Sequence, residues 1–133
     1  MVHVSVTRLR LRSARLALPL IWNTFRVNRQ IKAADGCLGS ETNGGPSLIL
    51  WTKSVWRDEA AMRAFMSSGA HLKAMPKLKH WCDEASAAHW SQEDAAVTWA
   101  EAEAGMSRYG WISKVLYPSP AHAAGNVLGS TRK

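Results

Sequence analysis

The chain has few cysteines and no long apolar run. Its 133 residues include two cysteines, Cys37 and Cys82, without CxxC spacing, which are too few for a disulfide framework. We interpret both as small buried hydrophobic residues. The longest apolar stretch, Leu16 to Trp22, is interrupted by Pro19 and falls short of the roughly 18–20 residues that a membrane-spanning helix needs. We therefore expect one cytoplasmic domain without a membrane span.

Motifs for nucleotide binding and for common hydrolases are also missing. The glycine-rich stretch from Gly36 to Gly45 contains neither GxGxxG nor GxxxxGK[ST], the patterns that bind phosphates, and no GxSxG motif occurs. His71, His80 and His89 are each nine residues apart, a spacing that turns successive side chains to opposite sides of a helix. Since no HxxxH and no His/Cys quartet with zinc spacing occurs, the sequence predicts no metal site built from local residues.

Acidic residues are absent from the first quarter of the chain. Residues 1–34 hold seven basic residues and no acidic ones, and the rest holds ten of each, so this block carries the whole net charge of +7. Such a block can attract nucleic acid, anionic lipid or an acidic ligand. No aromatic residue is interleaved with the arginines of residues 8–15, which argues against nucleic-acid binding. A solvated helix face is the simpler interpretation.

The first two predicted elements are a strand and a helix. In residues 2–9, valines alternate with polar side chains, which predicts a strand. Pro19 suits the first turn of a helix, and we expect this helix to run to Ala34 with Arg26 and Arg29 outside. Its predicted inner face is apolar and comprises Leu20, Ile21, Phe25 and Ile31.

Two further strands are predicted around a turn. Residues 37–42 form the first, Asn43 to Pro46 is a turn signal, and residues 48–56 form the second. The second strand is largely apolar on both faces, with Leu50 on one and Trp51 on the other, so both faces should be covered. One face can pack on helices, whereas the other needs a separate partner.

Helices dominate the next part of the chain. Asp58 is a suitable N-cap for a second helix, which Gly69 ends. A further helical stretch is predicted over residues 70–84, and Pro76 within it predicts a kink or a restart.

The last predicted elements are shorter. Residues 85–92 predict a fourth strand. Ser91 and Asp94 form a capping pattern for a helix over residues 94–107. A brief strand is predicted over residues 111–117.

The order β-α-β-β-α-β with a C-terminal extension is that of the ferredoxin-like split βαβ arrangement. We therefore predict an α+β domain over residues 1–117, in which an antiparallel sheet carries helices on one face and an extra C-terminal helix follows. Residues 118–133 are predicted to be a flexible tail. Because Trp and Leu occupy the other face of the sheet, we expect two sheets to pack face to face in a homodimer, a dimeric α+β barrel.

The segment SVWRDEAAMRAF over residues 54–65, followed by Gly69, Ala70 and His71, resembles the spheroidene monooxygenase-like group of the dimeric α+β barrel superfamily. That superfamily includes antibiotic-biosynthesis monooxygenase-type proteins. The resemblance covers residues 2–117. It implies oxidation of a small hydrophobic molecule, since the group oxidises carotenoids. It also implies heme as a possible cofactor, although some relatives of the monooxygenase type need no cofactor.

His71 is the candidate catalytic residue. It shares one helix stripe with Met75, Leu78 and Cys82, so we expect it to face an apolar interior. A neutral imidazole there could bind heme iron or act as a general base. The alternative is a core or capping histidine with a hydrogen-bond partner.

Aromatic and sulfur-containing side chains predict a substrate pocket inside the barrel. Walls of this kind with few polar groups suit a small apolar ligand. The candidate pocket residues are Trp51, Trp56, Phe65, Met75 and Trp90. The tryptophans would serve equally well in a core or a dimer interface.

Three functions remain open at this point. The first is a monooxygenase-like enzyme for a small hydrophobic molecule. The second is a non-enzymatic binding protein for a small apolar ligand or heme. The third is a binder of nucleic acid or of an anionic surface that uses the basic first 34 residues.

Overall fold

The computed structural model describes residues 1–44 and 48–129. Residues 45 and 46 of the predicted turn and residues 130–133 of the predicted tail lie outside these ranges. The strands are β1 (Val2–Leu11), β2 (Cys37–Asn43), β3 (Ile49–Trp56), β4 (Cys82–Gln92) and β5 (Trp111–Ile112). The helices are α1 (Ala17–Ala33), α2 (Glu59–Met66), α3 (Gly69–Trp81), α4 (Trp99–Tyr109) and α5 (Pro120–Ala123).

The strands form one antiparallel sheet in the order β2-β3-β1-β4-β5. The central strand β1 pairs with β3, which places Val4 opposite Val55, and with β4, which places Val4 opposite Trp90. Consecutive elements thus follow the ferredoxin-like order, and the predicted α+β fold is confirmed. None of the helices in the described ranges combines the length and the apolar character needed to cross a membrane.

The two faces of the sheet are covered by different helices. Side chains alternate along a strand, so β1 presents His3 to one face and Val4 to the other. Apolar side chains of α1, α2 and α3, including Ile31 and Phe65, pack on the face that carries His3 and Trp56. We call this the helix face. The opposite face, which carries Val4, packs against α4, and we call it the α4 face.

The α4 face holds the most completely buried core. Val4, Val6 and Ala88 of the sheet and Met106 of α4 are all fully buried there. Gly105 lies against the indole ring of Trp90, so close that a Cβ atom at this position would overlap the ring. The extra C-terminal helix therefore lies on the face that was expected to pack against a second copy of the chain. The alternation of apolar residues in the sequence shows that this face is apolar. It does not show which element covers the face.

The inner face of α1 differs from the prediction. Leu20 and Ile31 are buried as expected, whereas Ile21 and Phe25 are 62% and 52% exposed. The helix turns the positions Leu20, Val27 and Ile31 toward the sheet. This spacing of seven and then four residues defines one stripe, and Ile21 and Phe25 lie outside it.

Two predicted boundaries in the second half of the chain are also corrected. The helix predicted over residues 94–107 begins only at Trp99, because Thr98 and Glu101 form a reciprocal capping box. Cys82, predicted on the helix stripe of His71, is the first residue of β4. Pro76 lies inside α3, and the helix continues past it to Trp81.

The strand predicted over residues 111–117 is wrong beyond its first two residues, since β5 contains only Trp111 and Ile112. The chain after β5 leaves the sheet edge and packs on β4 instead. The Ser119 hydroxyl donates to Oε2 of Glu84 over 2.6 Å, and the Ser86 hydroxyl donates to the carbonyl of Val127 over 2.7 Å. Residues 118–129, predicted to be a flexible tail, thus contain α5 and bond to the sheet.

Candidate functional site

The structure distributes the five predicted pocket residues over different parts of the fold. Trp56 and Phe65 lie on the helix face, and Trp51 and Trp90 lie on the α4 face. Met75 lies on α3 and is 41% exposed. The sheet therefore separates Trp56 from Trp51 and Trp90. Positions 51 and 56 are an odd number of residues apart, so their side chains point to opposite faces of β3.

An aromatic row connects His71 to the helix face. The ring centroids of Trp56 and Phe65 are 5.2 Å apart, and those of Phe65 and His71 are 5.0 Å apart. Nδ1 of His71 lies 3.1 Å from the carbonyl oxygen of Met66. Because a carbonyl only accepts, Nδ1 carries the proton and Nε2 carries the lone pair. Burial lowers the pKa of His71, so the ring is neutral at pH 7.

A band of hydroxyl groups crosses the middle of the helix face. Its members are half-buried side chains on the two neighbouring strands β1 and β3, namely Ser5, Thr7, Thr52 and Ser54. The hydroxyls of Thr7 and Thr52 are hydrogen-bonded to each other, and Nε1 of Trp56 donates to Oγ of Ser54 over 2.9 Å. We call these four residues the hydroxyl band.

The hydroxyl band separates two apolar clusters on the same face. One cluster surrounds Leu11 and Leu20, and the other surrounds Ile31 and Trp56. Central strand positions under helices are usually apolar, because polar groups there lose solvent hydrogen bonds. The half-burial of the band shows that solvent reaches the middle of the sheet from this side. Departures of this kind from the apolar pattern are expected at functional sites.

A histidine pair lies at the end of the helix face that is covered by α2. Nε2 of His3 lies 3.1 Å from Nδ1 of His89, and Nδ1 of His3 lies 3.2 Å from Oγ of Ser91. Trp111 of β5 contacts His89 edge-on, with ring centroids 5.1 Å apart. The pKa of His3 is lowered, first by burial and then by the neighbouring His89.

The sequence patterns did not predict this pair. The nine-residue spacing of His71, His80 and His89 argued against a metal site built from neighbouring residues. His3 is distant in sequence and was not part of that comparison. The signal that was available is the alternation along β1 and β4. It places His3 on one face, but which residue lies beside it depends on the register between the strands.

Two surface cavities lie away from the histidine pair. The larger, about 560 Å³, lies between α1 and α2 and is lined by Gln30, Arg57 and Phe65 among others. The smaller, about 240 Å³, lies beside β2 on the α4 face and includes Lys53 and Val97. His71 lines neither cavity.

The basic first quarter of the chain is divided between two environments. Arg8 and Arg10 bond to Glu84 at 2.8 and 3.0 Å, and Arg8 is buried. The Arg12 guanidinium donates to the carbonyl of His80 and lies over the ring of Tyr117. The remaining basic side chains, Arg15, Arg26, Arg29 and Lys32, are exposed at and along α1. The charge is thus only partly available to a partner.

Comparisons with known proteins identify the fold. No family model and no curated protein matches the chain. Among solved structures, Rv0793 from Mycobacterium tuberculosis is 13% identical with a TM-score of 0.62, covering 73% of this chain and 100% of that protein. SnoaB, a cofactor-independent oxygenase from Streptomyces nogalater, is 12% identical with a TM-score of 0.58, covering 73% and 98%.

A proposed antibiotic biosynthesis monooxygenase from Deinococcus radiodurans is similar over the same part of the fold. It is 19% identical with a TM-score of 0.61, and the likeness covers 74% of this chain and 98% of that protein. Identities this low establish a shared fold and leave the chemistry open. The chain therefore has the ferredoxin-like fold of the antibiotic biosynthesis monooxygenase-like proteins.

Proposed function

We propose that this protein is a monooxygenase-like enzyme that binds a small hydrophobic molecule between α1 and the helix face of the sheet. The observation that carries the proposal is the hydroxyl band. Four half-buried hydroxyl side chains lie between two apolar clusters, at positions where packing alone would favour Val, Ile or Leu. A pocket with apolar walls and a few placed polar groups suits an aromatic or polyene ligand that carries oxygen substituents.

The hydroxyl band would hold the polar substituent of such a ligand. Ser5 lies on the central strand β1, opposite Ser54 of β3 on one side and His89 of β4 on the other. The structure shows no hydrogen bond from the Ser5 hydroxyl within the described residues, so this group is available to a ligand. The Trp56–Phe65 pair would provide the apolar wall at one end.

His71 is the candidate general base of the proposed reaction. It is neutral, and its Nδ1 proton is bonded to the Met66 carbonyl. Its Nε2 lone pair can accept a proton from a small substrate that displaces neighbouring side chains, since neither described cavity opens onto the ring. Removal of a proton from an activated methylene group gives an electron-rich carbanion that reacts with O2. The carbon then loses both C–H bonds and gains a C=O bond. The second oxygen atom leaves as water, so the substrate supplies all the electrons.

The arrangement around His71 does not favour heme. The ring packs on Phe65 at 5.0 Å, and neither described cavity opens onto His71. A heme ligand needs an apolar slot beside its free nitrogen. The likeness of residues 54–71 to spheroidene monooxygenase-like proteins supports the reaction class only.

The fold of the cofactor-independent oxygenase from Streptomyces nogalater supports the same reaction class. The competing function is a binding protein for an apolar ligand. The contacts of His71 are compatible with that alternative. A histidine that is bonded to a carbonyl and packed on an aromatic ring can have a purely structural role.

An oxygen-uptake experiment separates these functions. Untagged protein is incubated with a hydroxylated anthrone, an aromatic ketone with an activated methylene group, and ¹⁸O2 incorporation is measured by mass spectrometry. We expect Ser5→Ala to lower kcat/KM roughly 2- to 10-fold, the value of one neutral hydrogen bond. We expect His71→Gln to lower kcat by roughly 10²- to 10⁴-fold. Ser107→Ala, on the exposed side of α4, is the matched control.

Two outcomes would refute the proposed enzyme. Saturable binding of the anthrone without oxygen uptake would establish the binding protein instead. Oxygen uptake that is unchanged in Ser5→Ala and His71→Gln would place the reaction elsewhere. Circular dichroism of each variant checks that the fold is retained.

A further inference from the structure

His3, His89 and Glu59 bring three possible metal-ligating atoms together at the edge of the helix face. One ligand atom from each residue lies within 4.8 Å of the other two. His3 is buried on β1, His89 is half-buried on β4, and Glu59 is exposed in the first turn of α2. The site is therefore anchored on the sheet and open on its carboxylate side.

We propose that these three residues bind a divalent transition metal ion such as Zn²⁺ or Fe²⁺. Two imidazoles and one carboxylate form a donor set that suits ions of this class and leaves positions for water. The proposal concerns metal binding alone. It does not rest on the proposed oxygenase function.

The separation of the two imidazole nitrogens suits a shared ion. Nε2 of His3 and Nδ1 of His89 are 3.1 Å apart. With metal–nitrogen bonds of about 2.05 Å, this separation subtends an angle of about 100° at the metal. That value lies between the tetrahedral and the octahedral angle. The two rings therefore present their nitrogens to one ion with little rearrangement.

Glu59 has one carboxylate oxygen to offer. Both contacts from Arg63 are made to Oε2, and the bond from Nε is 2.7 Å long. Oε1 can therefore turn to the ion while Arg63 retains the other oxygen. A ligating carboxylate that is also hydrogen-bonded is common in metal sites, because the second bond orients it.

The surroundings of the histidines also fit metal ligands. Nδ1 of His3 lies 3.2 Å from the hydroxyl of Ser91, which can accept the proton left on this ring. Such a bond fixes the tautomer that presents Nε2 to a metal. Trp111 packs edge-on against His89 and restricts its orientation.

A hydrogen bond between two neutral histidines is the simpler interpretation of the pair. That interpretation accounts for the 3.1 Å separation, and the ion pair with Arg63 accounts for the place of Glu59 without a metal. It predicts that no metal ion binds to the pair at a fixed ratio to the chain. Metal titration therefore distinguishes the two interpretations directly.

The test uses the untagged chain of 133 residues after EDTA treatment and dialysis. Zn²⁺ is titrated in a calorimeter, and Co²⁺ is followed by its visible absorption, which reports coordination geometry. We expect one ion per chain. We expect His3→Ala and His89→Ala to abolish it, and Ser91→Ala to weaken affinity roughly 10- to 100-fold, as loss of an outer hydrogen bond does. His80→Ala removes an exposed histidine outside the cluster and should bind like the parent.

Glu59→Gln tests the site with a substitution that should not disturb the fold. Its side chain is exposed on α2, so the substitution should retain the fold while it weakens binding and changes the Co²⁺ spectrum. Absence of Zn²⁺ and Co²⁺ binding by the parent chain would overturn the proposal. Equal binding by the parent chain and by His89→Ala would overturn it as well.

Discussion

Nε2 of His3 lies 3.1 Å from Nδ1 of His89, although the two residues are 86 positions apart in the chain. The register of β1 against β4 creates this contact by placing Ser5 opposite His89 and His3 opposite Ser91. One end of the helix face thereby acquires two imidazoles. The same register aligns Ser5 of the hydroxyl band with His89.

Gly105 is predicted to be required for packing of α4. A Cβ atom there would overlap the ring of Trp90, and such overpacking costs about 1–3 kcal/mol. We therefore expect Gly105→Ala to lower the free energy of unfolding in urea titration. On an exposed helix, the same change would stabilise by about 1 kcal/mol. The control is Ala104→Gly on the exposed side of α4, which should lower the free energy of unfolding by about 1 kcal/mol through helix propensity alone. A Gly105→Ala variant that is more stable than the parent would contradict the close packing on Trp90.

The buried ion pair between Arg8 and Glu84 is predicted to be important for stability. Nη1 of Arg8 lies 2.8 Å from Oε1 of Glu84, and both side chains are at most 3% exposed. Glu84→Ala removes the carboxylate that Arg8, Arg10 and Ser119 share, and it should lower the free energy of unfolding by about 3–5 kcal/mol. The control is Arg57→Ala, which breaks an exposed pair with Asp35 that is expected to contribute about 0–1 kcal/mol. Equal effects in urea titration would contradict the prediction.

His71 is predicted to make stability depend on pH. Burial lowers its pKa in the folded chain. As the pH falls below the unfolded value of about 6.5, the unfolded chain takes up a proton that the folded chain resists. Stability should therefore fall on the acid side and be unaffected above that value.

Urea unfolding at pH 8 and pH 5.5 measures this effect. His71→Gln should reduce the difference in stability between the two conditions, and His80→Gln, at an exposed position, is the control. Part of the dependence should persist in His71→Gln, since burial also lowers the pKa of His3. An unchanged pH dependence in His71→Gln would contradict the prediction.

The homodimer expected from the sequence stays a prediction. Its original reason is weakened, because α4 covers much of the face that was assigned to the partner. Light scattering of micromolar protein should give about twice the mass of one chain if two sheets pair. A monomer under these conditions would contradict the dimeric barrel.

Local sequence patterns predicted the order of the main elements. Alternation along β1 and the apolar character of β3 identified central strands, and Asp58 identified the start of α2, where it accepts from the backbone of Ala61. These signals are short-range, since they reflect side-chain period and hydrogen-bond capping. They also sufficed for the fold class.

Predictions that depended on the rotation of a helix about its axis, or on which segments pack together, were less accurate. Phe25 was assigned to the inner face of α1, yet it is exposed, because adjacent apolar residues left the rotation of the helix open. The start of α4 was predicted from Ser91 and Asp94, whereas the structure places the cap at Thr98, and both segments carry capping residues. Packing against Trp90 decides where α4 lies, and no local pattern reports it.

The sequence by itself determined the α+β fold class and which faces of the strands are apolar. These properties follow from side-chain period and composition. Only the tertiary structure decided that α4 covers one of those faces and that His3 meets His89. Both results depend on contacts between distant segments, whose register and packing a linear pattern does not encode.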